Sequence, residues 1–391
     1  MARAPDTDHT QMKILRVADV PDTRSGGMSR TMYCTGDEFI RRGHQVDYLF
    51  APDFRPIGPR QVRRYTDAWE AARLVKERIH GKVYDVIEMH EPLAAVYAWW
   101  RRRYRSWPPV VAFSYGLEER GREAMLAYRD GKGIPFSPVS RVTTWLSAKQ
   151  AAYSVRHADW VVCSNETDVS HLIARGIPPG RITQHFSGVE KEFLEIAPSI
   201  AVDNCKRLLF LGSWLERKGI LDLADAIAIL FQRHSDATLT VAGTILKPQE
   251  VLATFAEDLR PRIRVISHVN GTDALIALYR EHGIFVLPSY FEGQPLSLIE
   301  AAAVGLAPVV TNIGGSRDFV EDGVNGFVVP VSDGRALAGR LDLLLSNPPL
   351  VAQFGEAARR RARNQTWSAS ADRLLRAYVE LVAREAELRK S

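Results

Sequence analysis

Short apolar runs rich in β-branched residues alternate with helix-length segments through both halves of this 391-residue chain. The predicted strands are Ile14–Val17, Val46–Phe50, Val83–Glu88, Val110–Phe113 and Trp160–Cys163 in the first half, and Arg207–Leu211, Thr238–Ala242, Ile263–Ile266, Ile284–Leu287, Ala307–Val310 and Gly326–Val329 in the second. This alternation predicts an α/β fold of parallel sheets with helices on both faces. Because the pattern occurs twice in a chain too long for one ordinary core, it predicts two Rossmann-like domains.

The periodicity breaks around Ala197-Pro198-Ser199, so we place the domain boundary between Glu190 and Lys206. The terminal segment Ser368 to Arg389 has apolar residues at helical spacing, and we expect this helix to pack back on the N-terminal domain. The predicted organisation is a disordered polar leader (1–11), an N-terminal acceptor-binding domain (12–197), a C-terminal nucleotide-binding domain (198–367) and the terminal helix (368–391).

Composition excludes several classes of protein. Charged residues make up 25% of the chain, no apolar run approaches the length that spans a bilayer, and the leader lacks the apolar region of a secretory signal. Three widely spaced cysteines indicate neither a disulfide framework nor a metal cluster, which fits a cytoplasmic protein. The first 195 residues hold 29 Lys and Arg against 24 Asp and Glu, whereas the remainder is balanced at 22 against 22. An anionic acceptor or membrane surface would use the excess in the first half.

A pair of glycines, Gly26-Gly27, follows the first predicted strand, and a helix is expected from about Met28 to Arg42. Glycines at a strand-to-helix turn allow a ligand to approach the backbone and a helix N-terminus, although a plain tight turn explains them equally well. The sequence is not G-x-G-x-x-G, which removes the main support for a dinucleotide-dependent dehydrogenase.

The most informative segment runs from residue 284 to 305, IFVLPSYFEGQPLSLIEAAAVG. A buried strand, a loop with Glu292 and a helix starting near Pro295 predict free helix amides directed into the loop, where they suit a phosphate. Glu300 lies on the second helical turn and suits ribose hydroxyls. Either glutamate alone would more simply be a helix-terminal charge or a solvated acid, but the joint context favours a ligand site.

The E-x7-E spacing of Glu292 and Glu300, in the setting FEGQPLSLIEA, resembles the signature of the GT-B retaining glycosyltransferases of family 4, "glycosyl transferases group 1". The segment FLGSWLERKG over residues 210–219 resembles the diphosphate clamp of that family, and residues 314–326 resemble its closing glycine turns. The resemblance implies a GT-B fold, in which the two domains face each other across a donor and acceptor cleft. It also implies a retaining hexosyltransferase that uses an NDP-sugar, with UDP favoured over GDP, and needs no metal or cofactor.

The resemblance assigns roles to individual residues. Lys218 would neutralise the departing diphosphate, and Glu292 would bind sugar hydroxyls and stabilise the oxocarbenium-like state. Glu300 would hold the ribose, and Gly27 would pack against the diphosphate from the opposite domain. The implied donor-binding residues are Gly27, Ser213, Lys218, His268, Val269, Gly293, Gln294, Pro295, Leu296, Ser297 and Glu300.

Two positions depart from the family pattern. Ser213 stands where the family usually has an arginine, so the clamp lacks one cation unless Arg217 supplies it. Tyr115 stands where the family commonly has a histidine, and a tyrosine does not titrate near neutral pH. These departures leave open a catalytically silent nucleotide-sugar-binding homologue. A GT-B isomerase or phosphorylase is the other alternative, although no pyridoxal-binding context is visible.

On the acceptor side, the candidate residues are His90, Tyr115 and Arg120. The acceptor is expected to be a glycan, a lipid-linked molecule or a small molecule, and its identity is open. Asp6-Thr7-Asp8 spells a metal-binding D-x-D, but no strand precedes it, and we expect no catalytic metal. The aromatic and basic residues from Ala94 to Arg105 fit a peripheral contact with an anionic membrane, or more simply a helix with one buried aromatic face. No stacking context for nucleic acid is present.

Overall fold

The computed structural model describes residues 11–24, 26–55, 60–196 and 202–390. Apart from Gln11, the predicted leader with its D-x-D lies outside the described residues, as does the Ala197-Pro198-Ser199 segment. Within the described ranges, twelve strands form two parallel sheets of six. The predicted α/β fold with two doubly wound sheets is confirmed.

The first sheet has the strand order β2-β1-β3-β4-β5-β6. Its strands are β1 (Lys13–Val17), β2 (Gln45–Leu49), β3 (Val86–His90), β4 (Val110–Phe113), β5 (Trp160–Cys163) and β6 (Ile182–Gln184). The helices of this half are α1 (Gly27–Arg41), α2 (Arg60–Gly81), α3 (Ala94–Arg103), α4 (Glu118–Gly131), α5 (Pro138–His157), α6 (Glu166–Ala174) and α7 (Lys191–Leu194).

The second sheet has the order β12-β11-β10-β7-β8-β9. Its strands are β7 (Arg207–Leu211), β8 (Thr238–Ala242), β9 (Ile263–Ile266), β10 (Ile284–Leu287), β11 (Ala307–Thr311) and β12 (Phe327–Val329). The helices are α8 (Ile220–Arg233), α9 (Pro248–Leu252), α10 (Thr272–Arg280), α11 (Leu296–Val304), α12 (Gly314–Phe319), α13 (Gly334–Leu345), α14 (Pro348–Ala362) and α15 (Trp367–Leu388).

Two strands of the first sheet differ from the sequence prediction. Strand β3 begins at Val86 rather than Val83, because Val83 is 84% exposed and Asp85 instead accepts a hydrogen bond from the Lys13 amide at 2.7 Å. Strand β6 was not predicted. It contributes three residues at the sheet edge, and polar Thr183 and Gln184 give it no apolar run to recognise.

Helix α15 packs on the sheet of the other half. Its buried residues Leu374, Tyr378 and Leu381 join a core cluster with Ile14 of β1 and Phe39 of α1. The chain therefore leaves the first sheet near Glu190, builds the second, and returns, so that the two halves are joined twice.

The carboxyl ends of both sheets face each other at close range. Gly293, which follows β10, lies so near the end of β4 that an added Cβ would stand 1.8 Å from the Tyr115 carbonyl oxygen. Glycine is required there by the approach of two backbones rather than by a turn. Ligands of doubly wound sheets bind at such carboxyl ends, so we expect the ligand site to lie beside Gly293.

In the described part of the chain, no helix combines the length and apolar character needed to cross a bilayer. Helix α3, whose aromatic and basic residues suggested a membrane contact, buries Tyr97 and Arg101. Trp99 is 40% exposed, and its ring meets that of Trp69 at 6.4 Å between centroids.

Candidate functional site

A cavity of about 910 Å³ lies between the two sheets, at the carboxyl ends of their strands. Both halves contribute to its wall. Of the residues predicted from the sequence, those that line it are Gly27, His90, Tyr115, Ser213, Lys218, His268, Val269, Glu292, Gly293, Gln294, Pro295, Leu296, Ser297 and Glu300. The fold thus brings together segments that are far apart in the chain.

The strand, loop and helix predicted around Glu292 are present. Buried β10 ends at Leu287, and α11 begins at Leu296 with Pro295 at its N-cap, where no side chain caps the helix. Since a helix N-terminus leaves its first amides without intrahelical partners, the amides of Leu296 and Ser297 remain free for a ligand. Their orientation and the helix dipole favour an anion.

Glu292 stands at this end of the cavity and is held by two cations. Its Oε1 lies 2.5 Å from Lys218 Nζ and 3.3 Å from Arg217 Nη1, and Ser289 donates a hydrogen bond to it at 2.9 Å. Burial alone would raise the pKa of Glu292, but Lys218 and Arg217 outweigh it and hold the pKa below its usual range. Burial lowers the pKa of Lys218, and Glu292 opposes that shift.

The position of Lys218 follows from the glycine beside it. Residues Glu216–Lys218 form a 3-10 turn, and Gly219 closes it with a φ of 69°. An added Cβ at Gly219 would stand 1.9 Å from the Pro288 carbonyl oxygen, just after β10. Glycine therefore lets this turn lie against the end of β10, so that Lys218 reaches the loop that carries Glu292.

The serine at position 213 lines the cavity, and a second cation is nevertheless present. Arg217 contacts the same carboxylate oxygen as Lys218 while its side chain stays 43% exposed. The sequence left open whether neighbouring residues 217 and 218 point the same way. In the structure they converge on Glu292.

Glu300 marks the other end of the predicted donor site and is also buried. Its Oε2 accepts a hydrogen bond from the Tyr279 hydroxyl at 2.8 Å, and its Oε1 lies 2.7 Å from Arg30 Nη1. Burial raises the pKa of Glu300, and Arg30 only partly opposes this shift.

Arg30 was missed by the sequence analysis. It lies on α1, one helical turn after Gly27, and forms two hydrogen bonds of 2.6 Å with Glu190 in addition to its contact with Glu300. Its spacing from Gly27 was the available signal, because residues three apart on a helix share a face. Arg30 joins the first half of the chain to the donor site in the second.

The glycine pair forms the entrance to α1. Gly26 has a φ of 98°, a conformation that favours glycine, and no side chain caps the helix that begins at Gly27. Both glycines line the cavity. A second helix N-terminus therefore opens onto the cavity, opposite that of α11.

The acceptor-side candidates His90 and Tyr115 differ in the chemical groups that they can offer to a ligand. His90 ends β3, and its Nδ1 lies 3.1 Å from Asp19 Oδ1. Burial lowers the pKa of His90, but Asp19 reverses this, so the net shift is upward. The Tyr115 hydroxyl is buried without a hydrogen-bond partner among the described residues, and burial raises its pKa. Tyr115 thus offers its ring and backbone rather than its hydroxyl.

Two predicted residues are used differently from what we expected. Arg120 does not line the cavity, because its guanidinium turns to the buried carboxylate of Asp168. Gln294 lines the cavity, but its side-chain amide accepts a hydrogen bond from the Ser187 amide and donates one to Gln365 at 3.1 Å. Its side chain therefore ties the loop to the segments that cross between the halves.

The cavity is also bordered by the loop after β9, where His268 and Val269 line it beside Asn270. Among the residues that the structure describes, no three His, Cys, Asp or Glu side chains are grouped so as to hold a metal ion.

Comparisons with known proteins agree with this architecture. The model "Glycosyltransferase Family 4" matches residues 25–193, and the model "Glycosyl transferases group 1" matches residues 194–361. A curated relative, an uncharacterized glycosyltransferase of Methanocaldococcus jannaschii, is 27% identical over 86% of this chain and 90% of its own length.

Two solved structures share the fold. Sucrose-phosphate synthase from Thermosynechococcus elongatus aligns with a TM-score of 0.75 at 19% identity, over 96% of this chain and all of its own. The Anabaena protein HepE, solved in complex with UDP and glucose, aligns with a TM-score of 0.63 at 17% identity, over 97% of this chain and all of its own.

Proposed function

The chain belongs to the glycosyltransferases of group 1 with the GT-B fold, and we propose that it transfers a hexose from a UDP-sugar to an acceptor hydroxyl with retention of configuration. The observation that carries this proposal is the arrangement of charge in one cavity. Lys218, Arg217 and the free amides of α11 stand at one end, and Glu300 stands at the other. A nucleoside diphosphate has the complementary pattern of charge and hydroxyl groups.

In the proposed reaction, the bond between the sugar anomeric carbon and the diphosphate breaks, and its electron pair leaves with the diphosphate. Lys218 and the amides of Leu296 and Ser297 stabilise the growing negative charge. The acceptor hydroxyl attacks the anomeric carbon from the same face, and its proton passes to the departing phosphate oxygen. Glu292 stabilises the positive charge on the sugar.

Glu292 is not proposed as a covalent nucleophile. Its carboxylate already contacts Lys218 and Arg217 and accepts a hydrogen bond from Ser289. A carboxylate whose negative charge is shared with two cations is a weaker nucleophile than a free one. We therefore place the acceptor, rather than a side chain, on the attacking side.

We also propose that no catalytic metal is needed, because Lys218 and Arg217 line the cavity and would neutralise the diphosphate in its place. Dialysis against EDTA should leave the rate of sugar transfer unchanged, and adding Mg²⁺ or Mn²⁺ should change it less than twofold. A rate that is lost with EDTA and restored by a divalent cation would contradict this part of the proposal.

UDP is the first nucleotide to test, because the Anabaena protein HepE has been solved with UDP and glucose. Thermal-shift measurements with UDP, GDP and ADP should show the largest stabilisation with UDP, since a ligand that binds the folded state raises the melting temperature. UDP-glucose and other UDP-sugars can then be assayed for slow release of UDP without an acceptor.

The alternative, a nucleotide-sugar-binding protein without activity, makes a different prediction. It would bind UDP-sugars yet release no UDP with any of the sugars and acceptors supplied. Glycans, lipid-linked molecules and small polyols are the acceptor classes to supply. Release of UDP that increases with one acceptor class would support transfer and identify the class.

A further inference from the structure

A second cavity, of about 270 Å³, opens at the amino ends of strands in the first sheet. It lies where the C-terminal ends of α3, α5 and α15 meet the beginnings of β5 and β6. The donor cavity takes residues from the other ends of strands in the same sheet, such as His90 at the end of β3. The two cavities are therefore separate sites at opposite ends of the strands of one sheet.

The second cavity carries an excess of positive charge. Two carboxylates are present, but both already face the buried Arg101, which contacts Glu385 and lies 3.7 Å from Asp159. Arg105 also lies 3.5 Å from Asp159. The arginines that line the cavity are Arg102, Arg105, Arg156, Arg181 and Arg384.

Part of this charge has a structural explanation. Arg181 and Arg384 donate hydrogen bonds to the Asp159 carbonyl at 3.2 and 2.9 Å, just past the C-terminus of α5. Cations at a helix C-terminus stabilise its unpaired carbonyls and its dipole. Such capping accounts for these two arginines and not for the others.

Helix capping does not explain two of the other arginines, Arg102 and Arg156. Arg102 contacts the His157 ring nitrogen at 3.2 Å, and across the described ranges neither arginine forms an ion pair with a carboxylate. Burial and then the neighbouring arginines lower the pKa of His157, so at neutral pH the imidazole adds no further positive charge. Two cations, Arg102 and Arg156, thus border the cavity without a carboxylate partner among the described residues.

We propose that this cavity is a binding site for a phosphate group, separate from the donor site. Arginine guanidinium groups bind phosphate oxygens through paired hydrogen bonds, and a converging set of them selects a multiply charged anion. The cavity has less than a third of the donor cavity's volume, which suits a phosphate or a small phosphorylated headgroup rather than a whole nucleotide-sugar.

The phosphate has two candidate sources with the same chemistry. One is a free phosphorylated metabolite. The other is the headgroup of an anionic lipid, because apolar Leu388 lines the cavity with 61% of its surface exposed, and Tyr104, beside Arg105, is 53% exposed. Exposed apolar and aromatic side chains next to a basic site suit a membrane interface.

The test uses the full chain with UDP present at saturation, so that the donor site does not take up the probe. Inorganic phosphate is titrated by calorimetry, and flotation is measured with vesicles of phosphatidylglycerol and phosphatidylcholine against phosphatidylcholine alone. The variant is Arg102→Gln with Arg156→Gln, two exposed side chains whose replacement leaves the core intact. The matched control is Arg264→Gln with Arg360→Gln, which removes the same charge from the second half.

We expect the wild type and the control to bind one of the two probes and the Arg102/Arg156 variant to bind it at least tenfold more weakly. Binding of free phosphate identifies a metabolite site, and binding of anionic vesicles alone identifies a lipid headgroup. No binding of either probe to the wild type would overturn the proposal, and so would equal affinity in the wild type and the variant. UDP affinity serves as the check that the variant is folded.

Discussion

The two ends of the donor cavity are built in different ways. At the Glu292 end, every charged partner comes from the second half of the chain, namely Lys218 and Arg217. At the Glu300 end, Tyr279 comes from the same half, but the cation is Arg30, which comes from the first half. One end is complete within its own sheet, and the other is completed across the cleft.

Burial raises the pKa of both glutamates, but their net shifts have opposite signs because their cations differ. Two cations lower the pKa of Glu292 despite its burial, whereas Glu300 has one cation that is shared with Glu190, and its pKa is raised. The cations at the Glu292 end are therefore supplied within the second half of the chain. The other end depends on how closely α1 approaches α11.

The largest effect is expected from Lys218→Met at the self-contained end. Lys218 is the cation that we propose stabilises the departing diphosphate, so its removal should lower kcat/KM by about 10²–10³-fold, the usual cost of losing one group that stabilises developing charge. Steady-state UDP release with the best UDP-sugar measures it. Lys206→Met, which removes an ion pair with Asp236 in the same half, is the control and should keep near wild-type activity. Comparable rates for the two variants would remove Lys218 from the mechanism.

Arg30→Gln tests the end completed across the cleft and should weaken UDP binding about tenfold, or about 1.4 kcal/mol. Without Arg30, the pKa of Glu300 rises further, because only the Tyr279 hydrogen bond then opposes burial. A protonated carboxyl accepts fewer hydrogen bonds, so UDP affinity of the variant should fall more steeply than that of the wild type as pH is lowered.

Calorimetric titration with UDP at several pH values measures both effects. Arg24→Gln is the matched control, because Arg24 lies near α1 but pairs with the exposed Asp37 instead. An Arg30→Gln variant with wild-type affinity and the same pH dependence would mean that Glu300 does not rely on the opposite half.

A smaller effect is expected at a second contact across the cleft. Arg129 of α4 makes hydrogen bonds of 2.8 and 2.7 Å to Glu216, two residues before Lys218. Because both side chains are partly exposed, this pair should contribute only about 0.5–1 kcal/mol to the placement of the 3-10 turn. A double-mutant cycle of Arg129→Gln and Glu216→Gln on the KM for the UDP-sugar measures the coupling. Additive single effects would show that the pair does not position the turn.

The same contrast decides what the sequence could predict. The Glu292 end was readable because a buried strand, a proline, a glycine and an uncapped helix start lie within twenty-two residues, each with a local signature. The contact between Arg30 and Glu300 joins positions 270 residues apart, and no local pattern specifies it. The contact that turns Arg120 away from the cavity is also distant in sequence. Arg120 of α4 pairs with Asp168 of α6, and no local pattern around Arg120 indicates this partner.

A third buried carboxyl, which forms no ion pair with a lysine or arginine among the described residues, extends the comparison from activity to stability. Glu91 accepts a hydrogen bond from the Glu118 amide at 3.1 Å, and its Oε2 has no hydrogen-bond partner among the described residues. Burial raises the pKa of Glu91 from 4.5 to about 8. The folded state therefore holds a proton that the unfolded state releases, and stability is lost as pH rises from about 4.5 to 8.

Glu91→Gln mimics the protonated carboxyl and removes this loss. The melting temperature of the wild type should fall relative to that of the variant by a few degrees between pH 5 and pH 9, whereas Glu356→Gln, at an exposed position, should give a curve parallel to the wild type. Parallel curves for Glu91→Gln as well would mean that Glu91 is ionised in the folded protein. With the expected outcome, the three carboxyls form a series. Lys218 and Arg217 lower the pKa of Glu292, the shared Arg30 leaves that of Glu300 raised, and Glu91, without a lysine or arginine partner, stays protonated at neutral pH. The number of cations within reach, rather than burial, then decides which carboxylate is ready for a ligand.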